Sequence, residues 1–372
     1  MKILFIGARL FDDIYYYLRE KNIYSILTES NKDAPNLNLS NEYHIVSRGM
    51  EEPSKIAILE KVHAIVPLIG IDLPLMDVAI MKEKIQKEHD IPVISPSTDV
   101  IAITSSKLKT KEFFKSISIN TPFYKTITKN DIDKSLNFPC VLKQNEGQAG
   151  KNISVCKNSD EIIKYFKKFE YALYEEFIEG DEISIEVLAY QDDYVALTPI
   201  YKGKTTLDGI HPLNKIKYGP YESDLISNKT IKETALKIAK SLKADAITEI
   251  DFIFSKKELK LYAIEINSRP NGTRYLTDAT CGVNTLLKLV DMATGDYSSL
   301  KINQKIKEYY SCEIPIGNFK GIPPKKPVKS FKNNNYVVHG PSGYERITLR
   351  ATSKEKLNKL ISTLKIKNSC LF

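Results

Sequence analysis

The sequence predicts an α/β protein that opens on a parallel sheet and passes into a region richer in β-structure. Two observations carry this. Across residues 1–100, short apolar runs alternate with stretches of helical spacing. After Ser95-Pro96-Ser97, short strand-like runs crowd together and end in two β-rich runs around a polar turn at 255–258.

In the first region, 2–6, 24–28, 64–68 and 91–94 read as strands. Residues 11–21 and 73–88 read as helices. In 73–88, Leu75, Val78, Ala79 and Ile85 fall at helical spacing, with Lys82 the polar member of the row. Strands alternating with helices imply a parallel sheet covered on both faces. The first turn, Gly7-Ala8-Arg9, lacks the G-x-G-x-x-G pattern, so a dinucleotide cofactor is disfavoured.

Beyond the boundary, 102–116 reads as one helix. Strands follow at 121–125, 140–144, 153–156, 173–177 and 182–189. A helix at 160–169 is expected to be capped by Ser159 and opens with Asp160 and Glu161, which suit the helix dipole. Further helices are expected at 229–243 and 284–293, the latter ending at Gly295, with strands at 246–254 and 260–267 between them. The last seventy or so residues begin Pro- and Lys-rich and close with a strand at 344–350 and an amphipathic helix at 354–364.

Composition excludes several classes. Apolar residues are 42% and charged residues 27% of 372, the balance of an ordinary globular protein. No run approaches the ~20 apolar residues of a membrane span, and the amino terminus reads as a buried strand rather than a signal peptide. A cytoplasmic protein with no membrane association is expected. Five cysteines without C-x-x-C spacing indicate neither disulfides nor zinc, and the five scattered histidines indicate no transition metal. The net charge of +8 is mostly lysine near acids at helical spacing, and the densest basic stretch, 320–332, is broken by prolines. Nucleic acid is therefore disfavoured, and a pull on anionic substrates is the natural use of the charge.

The most informative stretch is TEIDFIFSKKELKLYAIEINSRPNG. If its two strands pair around the polar turn, Asp251 comes beside Glu265. Ile264 and Ile266 are then expected on one face, and Glu265 and Asn267 on the other. Two carboxylates and an amide oxygen are hard ligands suited to Mg²⁺. The plain alternative is the solvent face of a half-exposed hairpin. Upstream, an apolar strand ends in Lys143, and small residues follow in 144–151. Such a tip can fold over phosphates through backbone N–H groups, although a simple hairpin tip fits as well. Next comes Tyr174-Glu175-Glu176-Phe177-Ile178-Glu179-Gly180-Asp181-Glu182, whose backbone could line an adenine pocket, or which is a surface turn.

In this order, Lys107, Lys143 with its glycine loop, the Glu-Glu-Phe-Ile-Glu-Gly-Asp-Glu run, Asp251 and Glu265-Ile-Asn-Ser-Arg resemble the ATP-grasp superfamily. The likeness is to the branch of carbamoyl-phosphate synthase large chains, biotin carboxylase and the pyrrolysine-pathway ligase, and it covers roughly residues 1–300. It implies an ATP-grasp fold with an amino-terminal Rossmann-like (pre-ATP-grasp) domain at 1–100. The ATP-grasp domain would span 101–300, with a lid at about 121–178, and a small carboxy-terminal α+β extension would span 301–372. It implies that Lys107 and Lys143 contact phosphates and that Glu146, Gly147, Gln148, Ala149 and Gly150 belong to the loop closing over them. Glu175, Glu176, Phe177 and Ile178 would form the adenine hinge, and Glu182 would hold the ribose. Asp251, Glu265 and Asn267 would bind Mg²⁺, with Mn²⁺ as an alternative, and Arg269 would sit near the γ-phosphate and the reacting carboxylate. Two departures stand out: relatives often carry Gly-Ser at 148–149, and Glu or Gln at 251.

The implied activity is ATP-dependent joining of a small-molecule carboxylate and an amine, amino-acid-like, through an acyl-phosphate, with release of ADP and phosphate. A homodimer is compatible with it. Bicarbonate as the carboxylate, giving a carboxylase or carbamoyl-phosphate-type enzyme, is the nearest rival. A non-catalytic nucleotide-binding regulator is another. Candidate substrate contacts are the loop 70–72 with Asp72, the segment 202–218 with His211, for which a turn histidine is the alternative, and Arg274, for which a structural ion pair is an equal alternative.

Overall fold

The computed structural model describes residues 1–132, 136–147, 150, 152–208, 214–316, 331, 334–340, 343 and 345–364. The first unit holds β1 (Lys2–Ile6), α1 (Tyr15–Glu20), β2 (Tyr24–Glu29), β3 (Glu42–Ile45), α2 (Glu51–Leu59), β4 (Ala64–Pro67) and α3 (Leu75–His89). Its strands form a parallel sheet in the order β3-β2-β1-β4. Strands β1, β2 and β4 are almost wholly buried, which is why they read as unbroken apolar runs. The strand expected at 91–94 is reduced to one parallel bridge, Ile65↔Val93.

The helix expected at 102–116 is broken in two. α4 (Thr98–Thr104) and α5 (Lys107–Ser116) are separated by Ser105 and Ser106. Ser97 and Ser106 cap them, accepting hydrogen bonds from the backbone N–H groups of Val100 and Lys109. Lys107 is therefore the first residue of a new helix.

A second, antiparallel sheet comprises β5 (Tyr124–Thr128), β6 (Cys140–Lys143), β7 (Ile153–Cys156) and, after α6 (Ser159–Phe166), β8 (Tyr171–Glu176), in the order β5-β8-β6-β7. It has its own small core, in which Ile127, Leu142, Ile162 and Tyr174 meet. The cap of α6 is Asn158, which accepts from the Glu161 N–H; Ser159, the expected cap, is the first helical residue. Both side chains can serve, and the extended backbone falls at Asn158.

The remaining strands build one large sheet. They are β9 (Asp181–Tyr190), β10 (Asp193–Ala196), β11 (Ile200–Lys204), β12 (Lys217–Gly219) and, after α7 (Asn228–Leu242), β13 (Ala246–Ser255) and β14 (Lys260–Asn267). Helices α8 (Arg274–Cys281), α9 (Thr285–Thr294) and α10 (Ser299–Lys305) precede β15 (Tyr310–Pro315), β16 (Asn335–His339), β17 (Arg346–Ala351) and α11 (Lys354–Thr363). The sheet order is β14-β13-β9-β11-β12-β15-β17-β16, with β10 beside β9. The final strands thus continue the sheet that carries the Asp251 hairpin.

α7 covers one face of this sheet through Ile231, Ala235 and Ile238 against Ile183, Ile185, Phe252 and Phe254. A second cluster joins Ile3 and Phe5 of the first sheet to Leu188 and Ile247 of the large one through Leu286 and Val290 of α9. Among the described residues, no helix is long and apolar enough to cross a membrane.

Candidate active site

The polar turn folds β13 onto β14 in the expected register. Asp251 lies opposite Glu265, and Glu249 opposite Asn267. A bulge follows directly, because Phe252 pairs with Ala263 and leaves Ile264 as the extra residue. The expectation that Ile264 shares the face of Ile266 is corrected here. Ile266 and Ala263 are buried in the apolar core, whereas Ile264 lines a cleft together with Glu265 and Asn267. The bulge re-aims one side chain while keeping both carboxylates on one face.

Behind this pair stands Lys202 of β11. Its Nζ lies 2.7 Å from Asp251 Oδ2 and 4.0 Å from Glu249 Oε1. The Glu249 carboxylate also accepts hydrogen bonds from the hydroxyls of Ser184 and Thr273, each at 2.7 Å. Burial would raise Glu249, but Lys202 and these hydroxyls outweigh it and hold it below the usual range. At Asp251 burial wins against the pull of Lys202. With repulsion from Glu249 and Glu265 added, the carboxyl is pushed up to about 7. Asp251 Oδ1 is buried without a hydrogen-bond partner. Among the described residues no three His, Cys, Asp or Glu side chains are grouped to hold a metal. The site instead offers two carboxylates and the Asn267 amide. This donor set, with an orphaned carboxylate oxygen and an excess of nearby negative charge, fits a hard divalent cation.

The hairpin faces the lysines across a cleft with an empty volume of ≈ 300 Å³, lined by Asp72, Ser105, Lys107, Gly147, Glu265 and Asn267. The Lys107 ammonium donates to the Gly147 carbonyl oxygen at 2.7 Å, and burial lowers its pKa. Asn145 fastens the loop to the start of α5. Its backbone oxygen accepts from Lys107 N–H, and its Oδ1 accepts from Leu108 N–H and the Ser106 hydroxyl, all at 3.0 Å. Lys143 ends β6 and donates to Glu175 Oε2 at 2.9 Å. Lys111, one helical turn after Lys107, lies 3.2 Å from the same oxygen. Burial pushes Lys111 down to about 8, against the pull of Glu175. Burial would raise Glu175, yet Lys111 and Lys143 together hold it below its usual range.

Glu175 therefore turns its carboxylate toward the lysines. Glu176 is exposed, Phe177 is half-buried and Ile178 is buried. Gly180 packs so tightly that a Cβ there would collide with the Phe254 carbonyl oxygen. Glu182 is met by Lys215 Nζ at 2.6 Å. Glu146, Gly147 and Gly150 are exposed in the loop, and Gly147 has φ 118°, a conformation that favours glycine. Gln148, Ala149 and His211 lie outside the described residues.

Arg269 and Asp72, proposed separately from the sequence, are joined by an ion pair from Arg269 Nε to Asp72 Oδ1. Arg274 is placed elsewhere. It pairs with Asp13 at 3.0 Å, and Asp13 also accepts from the Tyr275 hydroxyl at 2.5 Å. This is the structural alternative weighed for Arg274, a tie between the first unit and α8. Sequence reasoning did not single out Lys111, Asn145 or Glu249, and it reached Lys202 and Lys215 only as members of the candidate substrate segment 202–218. Two of these carried a signal: Lys111 shares a helical face with Lys107, and Glu249 shares a strand face with Asp251.

Comparison with known proteins agrees with this layout. A family profile described as an ATP-grasp domain matches residues 104–273. The chain is 56% identical over 366 residues to a carbamoyl-phosphate synthase of Methanobrevibacter smithii, spanning 98% of this chain and 100% of that one. It is 28% identical over 191 residues to the D-alanine–D-alanine ligase of Aquifex aeolicus, across 50% of this chain and 65% of that one. A solved biotin carboxylase domain of Hydrogenobacter thermophilus 2-oxoglutarate carboxylase, in complex with MgADP, ADP and bicarbonate, superposes with a TM-score of 0.76. That match covers 98% of this chain and 89% of that one at 18% identity. A small antiparallel sheet set against a large one, with lysines facing a carboxylate hairpin between them, is the ATP-grasp fold. The chain belongs to the ATP-grasp family of ATP-dependent ligases.

Proposed function

We propose that this chain uses ATP to activate a small-molecule carboxylate as an acyl-phosphate and joins it to an amine, with amino-acid-like substrates. The observation that carries the reading is Asp251 opposite Glu265, with Glu265 lining the same cleft as Lys107. In the first step a carboxylate oxygen attacks the γ-phosphorus and ADP leaves. In the second, the amine attacks the acyl carbon, phosphate leaves, and the nitrogen loses a proton. Lys107 and Lys143 offset phosphate charge, a contribution made before reaction because Glu175 and Asn145 already hold the lysines and loop in place. Arg269, steadied by Asp72, meets the reacting carboxylate. Glu182, paired with Lys215, would hold the ribose, and the backbone of 176–178 would hold adenine. Asp251, Glu265 and Asn267 would hold Mg²⁺, or Mn²⁺ in its place, which when bound neutralises the phosphates.

A second reading has a specific observation behind it. The Methanobrevibacter smithii relative is named carbamoyl-phosphate synthase, so bicarbonate is the competing carboxylate. Hydroxylamine separates the two. With ATP, Mg²⁺ and amino acids, the ligase reading expects a hydroxamate, ADP and phosphate, suppressed when the natural amine is added. ATP turnover that responds to bicarbonate alone supports the second reading. Nucleotide binding with no turnover would leave a regulator, and release of AMP would overturn attack at the γ-phosphorus.

A further inference from the structure

Glu186 on β9, Glu249 on β13 and Asn267 on β14 stand in a row across the large sheet. Glu186 is 1% exposed and Glu249 4%. Like charges directly opposite each other destabilise a sheet, and burial removes the water that would screen them. Lys202 offsets this only in part, because its Nζ lies 4.0 Å from Glu249 and 2.7 Å from Asp251. A glutamine at 249 would fill the same space without the repulsion, so packing alone does not account for a carboxylate there.

The carboxylate is held in one place. Its Oε1 accepts from the hydroxyls of Ser184 and Thr273, each at 2.7 Å. The Thr273 hydroxyl also lies 2.8 Å from Asn271 Oδ1, but that oxygen already accepts from Thr273 N–H at 2.8 Å, and the carboxylate is the stronger acceptor. Glu249 Oε2 then receives Asn267 Nδ2 in a long hydrogen bond of 3.4 Å. An ionised carboxylate can only accept, so the amide meets it nitrogen first. The Asn267 oxygen is thereby turned away from Glu249, and Asn267 lines the cleft beside Glu265. An amide oxygen is a ligand for a hard cation, and an amide nitrogen is not. A glutamine at 249, which donates as well as accepts, would admit either orientation.

We propose that Glu249 is a positioning residue for the cation site, fixing the Asn267 amide with its oxygen free for the metal. The inference rests on the reading of Asn267 as a ligand to Mg²⁺ and adds the residue that orients it.

The test measures the dissociation constant of Mn²⁺ from the full chain saturated with ADP, by the electron paramagnetic resonance of free Mn²⁺. Glu249→Gln should weaken Mn²⁺ binding roughly 10- to 100-fold, the range for residues that orient a metal ligand. Its urea midpoint should be unchanged or higher, and its ADP binding without metal should match wild type. Asn267→Ala should weaken Mn²⁺ binding at least as much. Adding Glu249→Gln to it should cost little more, since a residue that acts through Asn267 has nothing left to orient. Glu249→Asp keeps the charge but draws the carboxylate back from Asn267, so it carries the same expectation if the glutamine variant fails to fold. Wild-type Mn²⁺ affinity in the folded Glu249 variants, or fully additive losses in the double variant, would overturn the positioning role while the ligand reading stands. Wild-type Mn²⁺ affinity in Asn267→Ala would overturn both.

Discussion

Glu265 and Asp251 face each other across a hairpin with Lys202 supplying the nearest positive charge. If a divalent cation takes over that role during turnover, Glu265→Gln removes a formal charge from its ligand set. ATP turnover should then nearly vanish while the circular dichroism spectrum is retained, and turnover with an unchanged Mg²⁺ requirement would refute the assignment. Lys143→Ala should lower turnover by about 10²-fold or more, the scale of one preorganised charge contact. It should alter nucleotide affinity less, as a binding isotherm would show. The Asp251–Glu265 pairing was legible in the sequence because side chains alternate along a strand and a polar turn marks the hairpin centre. Ile264 was misread because a bulge shifts that alternation by one and leaves no mark in composition. Lys202 and Lys215 lie far from the motif in sequence; Lys202 is brought to Asp251 by the pairing of β11 with β9 and of β9 with β13, and Lys215 reaches Glu182 from the stretch between β11 and β12.

Most strands with strong apolar runs were placed correctly, and so was the hairpin, whereas 91–94 forms only one bridge. β3, β10, β11, β12, β15 and β16 were not read. β12 has three residues, too few to show a period, and β3 alternates only between half-buried and exposed positions. The break between α4 and α5 was hidden because Ser105 and Ser106 sit inside a helical pattern. The Glu-Gly-Asp-Glu run gains a physical reason that the sequence alone did not disclose. Gly180 lies against the backbone of β13, so Gly180→Ala forces the hinge away from Phe254. Overpacking of this kind costs about 1–3 kcal/mol. The expected outcome is a lowered urea midpoint together with weaker ATP binding, since the segments proposed for adenine, 176–178, and for Mg²⁺, the β13–β14 hairpin, would shift together. Normal ATP binding in this variant would show that the close approach is incidental.

The carboxy-terminal strands of the large sheet carry a buried ion cluster. Glu313 of β15 is met by Lys217 at 2.7 Å and Arg346 at 3.0 Å, with His339 at 3.5 Å. Burial pushes His339 down to about 3, so it stays neutral. Burial alone would raise Glu313, but Lys217 and Arg346 bring it from 4.5 down to about 2. A carboxyl lowered in the fold contributes stability above its unfolded value and loses it as pH falls. The contribution, about 3 kcal/mol at neutral pH, should fade from about 4.5 down to about 2. Glu313→Gln should abolish that acid step and cost about 3–5 kcal/mol at pH 7 by leaving buried cations unpaired. Urea unfolding of both proteins across this pH range tests it.

The first sheet and the large sheet share one apolar cluster through α9, whereas the small antiparallel sheet holds Leu142, Tyr174 and their neighbours in a separate one. Amide hydrogen exchange should divide along that line and ignore the change of character near residue 100. Amides of β1 and β9 should exchange only when the whole molecule unfolds, and those of β6 and β8 through a smaller opening that leaves the rest intact. Mg-ATP, bound between the two blocks, should slow the second kind far more than the first. If the small sheet is the cover proposed for the nucleotide, a core of its own would let it open without surrendering the burial shared by Ile3, Leu188 and Leu286.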